Sequence, residues 1–298
     1  MLHTVAKLHY EADMSQVDIA RRLSLSTATI SRLLQRARAE GIVRIEVRDL
    51  LTSDELVQAL CERLGLKAAA VVETPSAGAP ESLAAPVGDL LRGAGLKPGG
   101  VLAIGWGRAI RAVVEAGLPE LAGILAVPAT GGMQQHAPHF QVNEFVRAAA
   151  ASTAGVPHFV HAPYLPSAAS REAFLADPAI RDGVALWERV DVALVGIGLP
   201  RLPNSPYAGA STPDERALGE AAGDVIRHYF DGEGQPVEWE GERRMIAMSR
   251  DQLRRAPLVI GVATGEAKAG AIRGAARAGL ISALATDTRT ANAVLDMA

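Results

Sequence analysis

The sequence predicts an α/β protein in two parts, a small helical head followed by a doubly wound body built on a parallel sheet. Three observations predict it. In residues 15–40, apolar side chains recur with helical spacing in two short runs separated by a serine-flanked break. From residue 100 onward, short continuous apolar runs alternate with amphipathic stretches, the pattern of strands covered on both faces by helices. Charge divides the same way: residues 1–50 hold 8 Lys/Arg against 6 Asp/Glu, and the remainder 22 against 27. The overall −3 is therefore a head of +2 on a body of −5, which suits local contact with a polyanion rather than a general coat.

Composition excludes several classes. The 298 residues carry one cysteine, Cys61, so there is no internal disulfide and no thiolate zinc cluster. The seven histidines show no metal-ligand spacing, and no cofactor is expected. No apolar run approaches the ~20 residues of a membrane span, and the N-terminus lacks a basic stretch leading into an apolar core. A cytoplasmic protein without membrane contact is expected. Arg (26) outnumbers Lys (4), a compositional bias to which we give no functional weight.

In order, residues 2–12 predict a first helix with Leu2, Val5, Ala6, Leu8 and Tyr10 as its apolar contacts. Ser15 caps a second helix, in which Ile19, Ala20 and Leu23 form one face. Ser24-Leu25-Ser26 breaks it, with Ser24 at the left-handed turn position that glycine usually fills and Ser26 as the next cap. A third helix, from Thr27 to about Arg38, buries Ile30, Leu33 and Leu34. Ala20 is small where two helices cross, and Leu25 plugs the turn. These features together form a helix-turn-helix, whose second helix enters the DNA major groove. Thr27, Ala28, Thr29, Ser31, Arg32 and Arg36 are its candidate DNA-facing positions, with Gln16 against the backbone. Gly41 ends the helix, and 42–47 alternates with period two, a strand of a small wing whose polar side, with Arg44 and Arg48, faces either phosphate or solvent. The head is assigned to residues 1–52, the body to 53–298.

The body opens with a helix at 53–64, ended by Gly65, and a strand at 68–72. Residues 74–80 read as a loop, and 81–93 as a helix weakened by Pro86 and Gly88. Strands are then predicted at 100–105, 123–127, 158–161, 191–196, 258–263 and 281–286. Helices are predicted at 108–116, 143–154, 178–189, 268–278 and 290–296. Residues 223–237 read as a strand, a turn at Asp231-Gly232-Glu233-Gly234 and a return. The alternation describes a Rossmann-like parallel sheet, whose ligands bind outside the C-terminal strand ends. Four such ends carry small and polar residues: Gly105-Trp106-Gly107-Arg108-Ala109, Thr130-Gly131-Gly132, Gly196-Ile197-Gly198 and Thr264-Gly265-Glu266-Ala267-Lys268. Glycines after strands are individually ordinary turns. Four together, with an arginine and a lysine, point to a pocket for a small anion.

The chain resembles the SorC family of bacterial transcriptional regulators. The head matches at 16–23 (QVDIARRL), 31–38 (SRLLQRAR) and 41–43, the body at 105–108 (GWGR), 191–198 (DVALVGIG), Gly223-Asp224, Lys268 and Thr286-Asp287. The resemblance implies an effector domain similar to glucosamine-6-phosphate deaminase and ribose-5-phosphate isomerase. It implies a phosphorylated-sugar effector, operator DNA as partner, and assembly as a dimer or tetramer. Carried across position by position, the turn Gly105, Trp106, Gly107, Arg108 and Ala109 would hold a phosphate. Gly131, Gly132 and Asn143 would line the sugar with Gly198 nearby, Asp224 would accept from hydroxyls, and Lys268 would pair with phosphate. One departure is Ala109, where relatives usually carry a threonine hydroxyl. The alternative on the same fold is a sugar-phosphate isomerase, deaminase or lactonase. Against it, Gly196-Ile197-Gly198 leads into Leu199-Pro200-Arg201, without the acid–histidine pair that ring opening requires.

Overall fold

The computed structural model describes residues 1–43, 53–73, 80–133, 137–199 and 211–297. The chain divides into two compact units, Met1–Leu50 and Leu51–Ala298. Residues 44–47 of the predicted wing strand, with Arg44, lie outside the described residues, as do Arg48 and the 74–79 loop.

The first unit holds three helices, α1 (Leu2–Tyr10), α2 (Gln16–Leu23) and α3 (Thr27–Ala39). Val5, Ile19, Ala20, Ile30 and Leu34 form its core, with Leu8, Leu23, Leu25 and Leu33 packed partly buried around them. Both predicted caps form. The hydroxyl of Ser15 accepts from the Asp18 N–H, and that of Ser26 from the Thr29 N–H, at 3.2 Å each. Ser24 sits between the helices at φ 54°, ψ 40°, in the left-handed region. Gly41, at φ 71°, follows the end of α3. Tyr10 departs from expectation: it is exposed and lies edge-on to His9 rather than in the core.

The second unit comprises α4 (Ser53–Leu64), β1 (Ala68–Val72), α5 (Ala84–Gly93), β2 (Val101–Ile104), α6 (Arg108–Ala116), β3 (Leu125–Pro128), α7 (Val142–Thr153) and β4 (Val156–Pro157). It continues with α8 (Ala168–Ala176), α9 (Pro178–Ala185), β5 (Val192–Gly198), α10 (Pro213–Arg216), β6 (Gly223–Val225), β7 (His228–Phe230), α11 (Arg250–Arg255), β8 (Leu258–Val262), α12 (Ala269–Arg277), β9 (Ala283–Asp287) and α13 (Thr288–Asp296). Seven strands run parallel in the order β1-β9-β8-β5-β2-β3-β4, and the antiparallel β6–β7 hairpin joins β5. Side-chain alternation divides the strands between two cores. Val101, Ala103, Ala193 and Val195 face one core, with Leu56 and Leu60 of α4, Ile180 of α9 and Val294 of α13. Leu102, Ile104, Val192 and Leu194 face the other, with Val87 of α5, Ile110 of α6 and Phe145 of α7. The sheet is therefore doubly wound. Cys61 packs partly buried on α4, where burial raises its thiol pKa.

Three local departures have physical reasons. Pro86 sits in the first turn of α5, where its missing N–H breaks no helical bond. The strand expected at 158–161 is β4 at Val156–Pro157, because its partner β3 offers Leu125 and Ala126 for pairing there. The fully buried Val160 belongs to the core rather than to the ladder. The predicted turn at Asp231–Gly234 forms, with Phe230 bridging Pro236 antiparallel across it, but the strand before it is itself folded into β6 and β7 by an unexpected turn at Ile226-Arg227, both at positive φ.

Candidate functional site

The order of winding fixes where a ligand crevice forms. From β2 the chain steps outward to β3 and β4, then returns to β5 on the other side of β2 and steps outward through β8 and β9. The β2/β5 junction is thus the switch point, where the connections leave in opposite directions.

Three predicted segments meet there. Gly105 donates its N–H to the Leu194 carbonyl of β5 at 2.8 Å, and the chain then enters α6 through Gly107 at φ 127°. Gly107 gives the first turn of α6 no side-chain cap. Trp106 is buried and packs edge-on against Tyr164 (centroids 5.1 Å apart) and Phe140 (6.1 Å). The end of β5 is paired with the hairpin, Ile197 opposite Val225 and Gly198 opposite Asp224. A Cβ at Gly198 would run into Asp224 Oδ1, so a side chain there would displace the carboxylate from its present position. Lys268, half-buried, reaches from the β8–α12 connection and donates Nζ to the Ile197 carbonyl. Arg108 is exposed at the start of α6 and Ala109 is half-buried beside it.

The other predicted sugar-lining residues also bond neighbouring chain within the fold. The Gly131 and Gly132 N–H groups donate to Ile246 and Ala162 carbonyls at 2.8 Å. A Cβ at Gly131 would lie 2.6 Å from the Ala162 oxygen. Asn143 bonds the Val160 backbone from both ends of its amide, at 3.3 and 3.4 Å, and stands 3.5 Å from His161 Nδ1. These three hold the β3–β4 side of the sheet to neighbouring chain, because buried backbone needs partners.

Sequence reasoning missed a buried polar cluster beside the crevice. The Arg227 guanidinium pairs with Glu215 at 3.1 Å, with side chains 2% and 0% exposed. Arg227 also donates to Tyr229 Oη (3.0 Å) and Ser211 Oγ (3.2 Å). Glu215 in turn accepts from Tyr229 Oη at 3.0 Å and Tyr164 Oη at 3.3 Å. Burial alone would lower the Arg227 pKa, but Tyr229, Glu215 and Asp224 more than offset it and hold the guanidinium charged. Burial pushes both tyrosines up, so they remain donors. The one legible signal was Thr212-Pro213-Asp214-Glu215, a capping box in which Glu215 also accepts from the Thr212 N–H at 2.7 Å. Nothing local marked Arg227. Asp287 organises the next loop over, accepting from Thr264, from the Thr290 hydroxyl and from the Thr290 N–H. Among the described residues, no group of histidine, cysteine or carboxylate side chains could hold a metal ion. Among them too, no helix is long and apolar enough to cross a membrane.

In the first unit, Thr27, Ala28, Ser31, Arg32 and Arg36 are exposed along α3, and Gln16 is half-buried at the start of α2. Two positions differ from a simple DNA-facing row. Thr29 is half-buried with its hydroxyl 2.8 Å from Ser26 Oγ, so it belongs to the cap. Arg36 pairs with Glu40 at 2.7 Å, an exposed contact that a phosphate can displace.

Comparison with known proteins agrees with both halves. Residues 48–296 match the family described as "Putative sugar-binding domain", and residues 8–44 match "Winged helix-turn-helix DNA-binding". The sorbitol operon regulator of Klebsiella pneumoniae is 33% identical, over 98% of this chain and 96% of its own. The deoxyribonucleoside regulator of Bacillus subtilis (strain 168) is 27% identical, over 98% and 96%. The crystal structure of the full-length sorbitol operon regulator SorC from K. pneumoniae superposes with a TM-score of 0.73 at 32% identity, covering 99% of this chain and 98% of that one. These relatives are named as regulators, and this chain is a regulator rather than an enzyme. With a winged helix-turn-helix at one end and a sugar-binding α/β unit making up the rest, the chain belongs to the SorC family of transcriptional regulators.

Proposed function

We propose that this regulator binds operator DNA through α3 and that a small sugar or sugar phosphate, held at the C-terminal ends of β2 and β5, sets its affinity for that DNA. The observation that carries the reading is the convergence of the Gly105–Ala109 turn, the Asp224 carboxylate and Lys268 at the sheet's switch point. Asp224 accepts from effector hydroxyls. Lys268 and the start of α6 meet an anionic group if the effector carries one. The methyl of Ala109 supplies no hydroxyl there, so a phosphate would depend on backbone amides and on cations. The relatives named for sorbitol and for deoxyribonucleosides supply the first candidates, as free and as phosphorylated compounds. DNA as partner places the action in the cytoplasm. A single three-helix head offers a small footprint, so the body is proposed to pair heads as a dimer or tetramer.

The test is fluorescence anisotropy of the full chain on operator DNA selected from a random-sequence pool, titrated with that panel. A shift in operator affinity of tenfold or more with one compound is expected. Unchanged affinity at saturation by every compound would refute effector control.

A further inference from the structure

The hairpin over the crevice turns through two residues that seldom adopt such a backbone. Ile226 stands at φ 44° and Arg227 at φ 69°. Two-residue hairpins of this type favour Asn-Gly, because glycine meets no steric penalty at positive φ. Backbone strain of this kind persists only where the surroundings over-determine it, and it concentrates at functional sites.

This turn touches each part of the crevice. The Arg227 N–H donates to Asp224 Oδ2 at 2.9 Å, aiming the carboxylate across Gly198. The Ile226 side chain lies against Gly105, 3.2 Å from where a Cβ would stand. The Arg227 guanidinium stands 5.8 Å from the Trp106 ring and 6.0 Å from the Tyr164 ring. A glycine at 227 would serve the first two contacts with less strain. Only a long side chain makes the third. Its charge is already matched by Glu215, inside a cluster closed by Tyr229 and Ser211. Arg227 therefore fills space against the aromatic wall rather than pairing with an effector.

We propose that Arg227 is the specificity-determining residue of this site, limiting it to short polyhydroxy effectors and excluding those that carry a second ring. The proposal rests on the effector reading above. Asp224 is the group that reads hydroxyls, and Arg227 is the positioning residue that orients Asp224 and sets the room beside it.

The experiment uses the full chain and the paired variant Arg227→Gly/Glu215→Gln, which avoids leaving Glu215 as an unmatched buried carboxylate. A second pair, Arg227→Met/Glu215→Gln, keeps the volume without the charge. Calorimetry would compare the tightest-binding polyol or sugar phosphate with 2′-deoxyuridine as a two-ring probe, and anisotropy would follow operator binding. The glycine pair should bind operator as wild type does, while its preference for the small effector over the two-ring probe falls at least tenfold. The methionine pair should keep that preference. If the glycine pair binds operator yet keeps the preference within twofold, the proposal is overturned. If the glycine pair does not fold, the methionine pair decides: retained preference supports space-filling, and lost preference overturns it. A wild type that answers to no compound would instead overturn the effector reading, a separate and visible failure.

Discussion

Glu242 illustrates how much one carboxylate can carry at the scale of a residue. Its Oε1 lies 2.6 Å from His228 Nδ1 and accepts from Arg250 Nε at 2.8 Å, while His228 Nε2 lies 2.7 Å from the Met248 carbonyl. Burial alone would raise its pKa, but the bonds from His228 and Arg250 outweigh burial and hold it below its ordinary 4.5. A carboxyl whose pKa is lower folded than unfolded stabilises the fold above 4.5, and that stability is lost as pH falls through the lower, folded value. Glu242→Gln should cost about 1.5–3 kcal/mol near neutral pH, the range for hydrogen bonds to charged groups. Its stability should also fall less steeply than wild type below pH 4.5. Urea denaturation at pH 7 and under acid conditions would check both, and equal acid slopes would contradict the assignment. Asp287, lowered by Thr264 and Thr290 hydrogen bonds that outweigh burial, keeps the slope from vanishing. On α3, exposed Arg32 is the base-reading candidate. Arg32→Ala should weaken operator binding by about 1–3 kcal/mol and leave effector affinity unchanged. Anisotropy and calorimetry on the same preparation separate the two.

At the scale of elements, the helices of the head follow from local chemistry, and their ends can be tuned. Ser24 occupies a left-handed turn position that costs a side-chain-bearing residue. Ser24→Gly should stabilise the head by about 0.5–1 kcal/mol, because the left-handed conformation costs a side-chain-bearing residue about 1–2 kcal/mol and glycine's extra unfolded-state freedom takes back about 0.5–1 of it. Ser15→Ala should destabilise it by about 1 kcal/mol through loss of the cap to Asp18. Hydrogen exchange of α2 amides reads both changes without interference from the body. Slower exchange in the alanine variant than in wild type would contradict the cap's role. The body's strands were legible because continuous apolar runs bounded by glycine permit little else. The hairpin turn was not. Asp231–Gly234 has the residues of a turn, yet Ile226-Arg227 takes the tighter one. Pairing of Gly223 with Phe230 and of Val225 with His228 leaves only those two residues between the strands.

At the scale of the whole molecule, the proposed function depends on coupling between an effector crevice and a DNA-reading head. An effector can shift the operator equilibrium only by its differential affinity for the DNA-competent and DNA-incompetent arrangements. Lys268→Ala removes a cation from the crevice and the Nζ bond to Ile197. It should abolish the effector response while operator binding in the absence of effector stays as in wild type. Loss of both functions together would show that Lys268 serves the fold instead. Sedimentation across a concentration series, with and without the responding sugar, would show whether the body pairs heads.

The sequence by itself determined the two-part division of charge and pattern, the helix-turn-helix with both serine caps, and the alternating strands and helices of the body. These are local properties, set by side-chain periodicity and by backbone groups satisfied within a few residues. It also placed Gly105–Ala109, Gly198 and Lys268 at strand ends, because strand ends follow from strand positions, while Asp224 came from the family resemblance alone. Only the tertiary structure decided which ends adjoin. The order β5-β2 brings Gly105, Asp224 and Lys268 together, while Gly131, Gly132 and Asn143 give their polar groups to neighbouring backbone. The Arg227–Glu215 pair was beyond local reading for the same reason. Its partners are 12 positions apart in sequence, on a hairpin and on a short capped helix, and only burial makes them depend on each other.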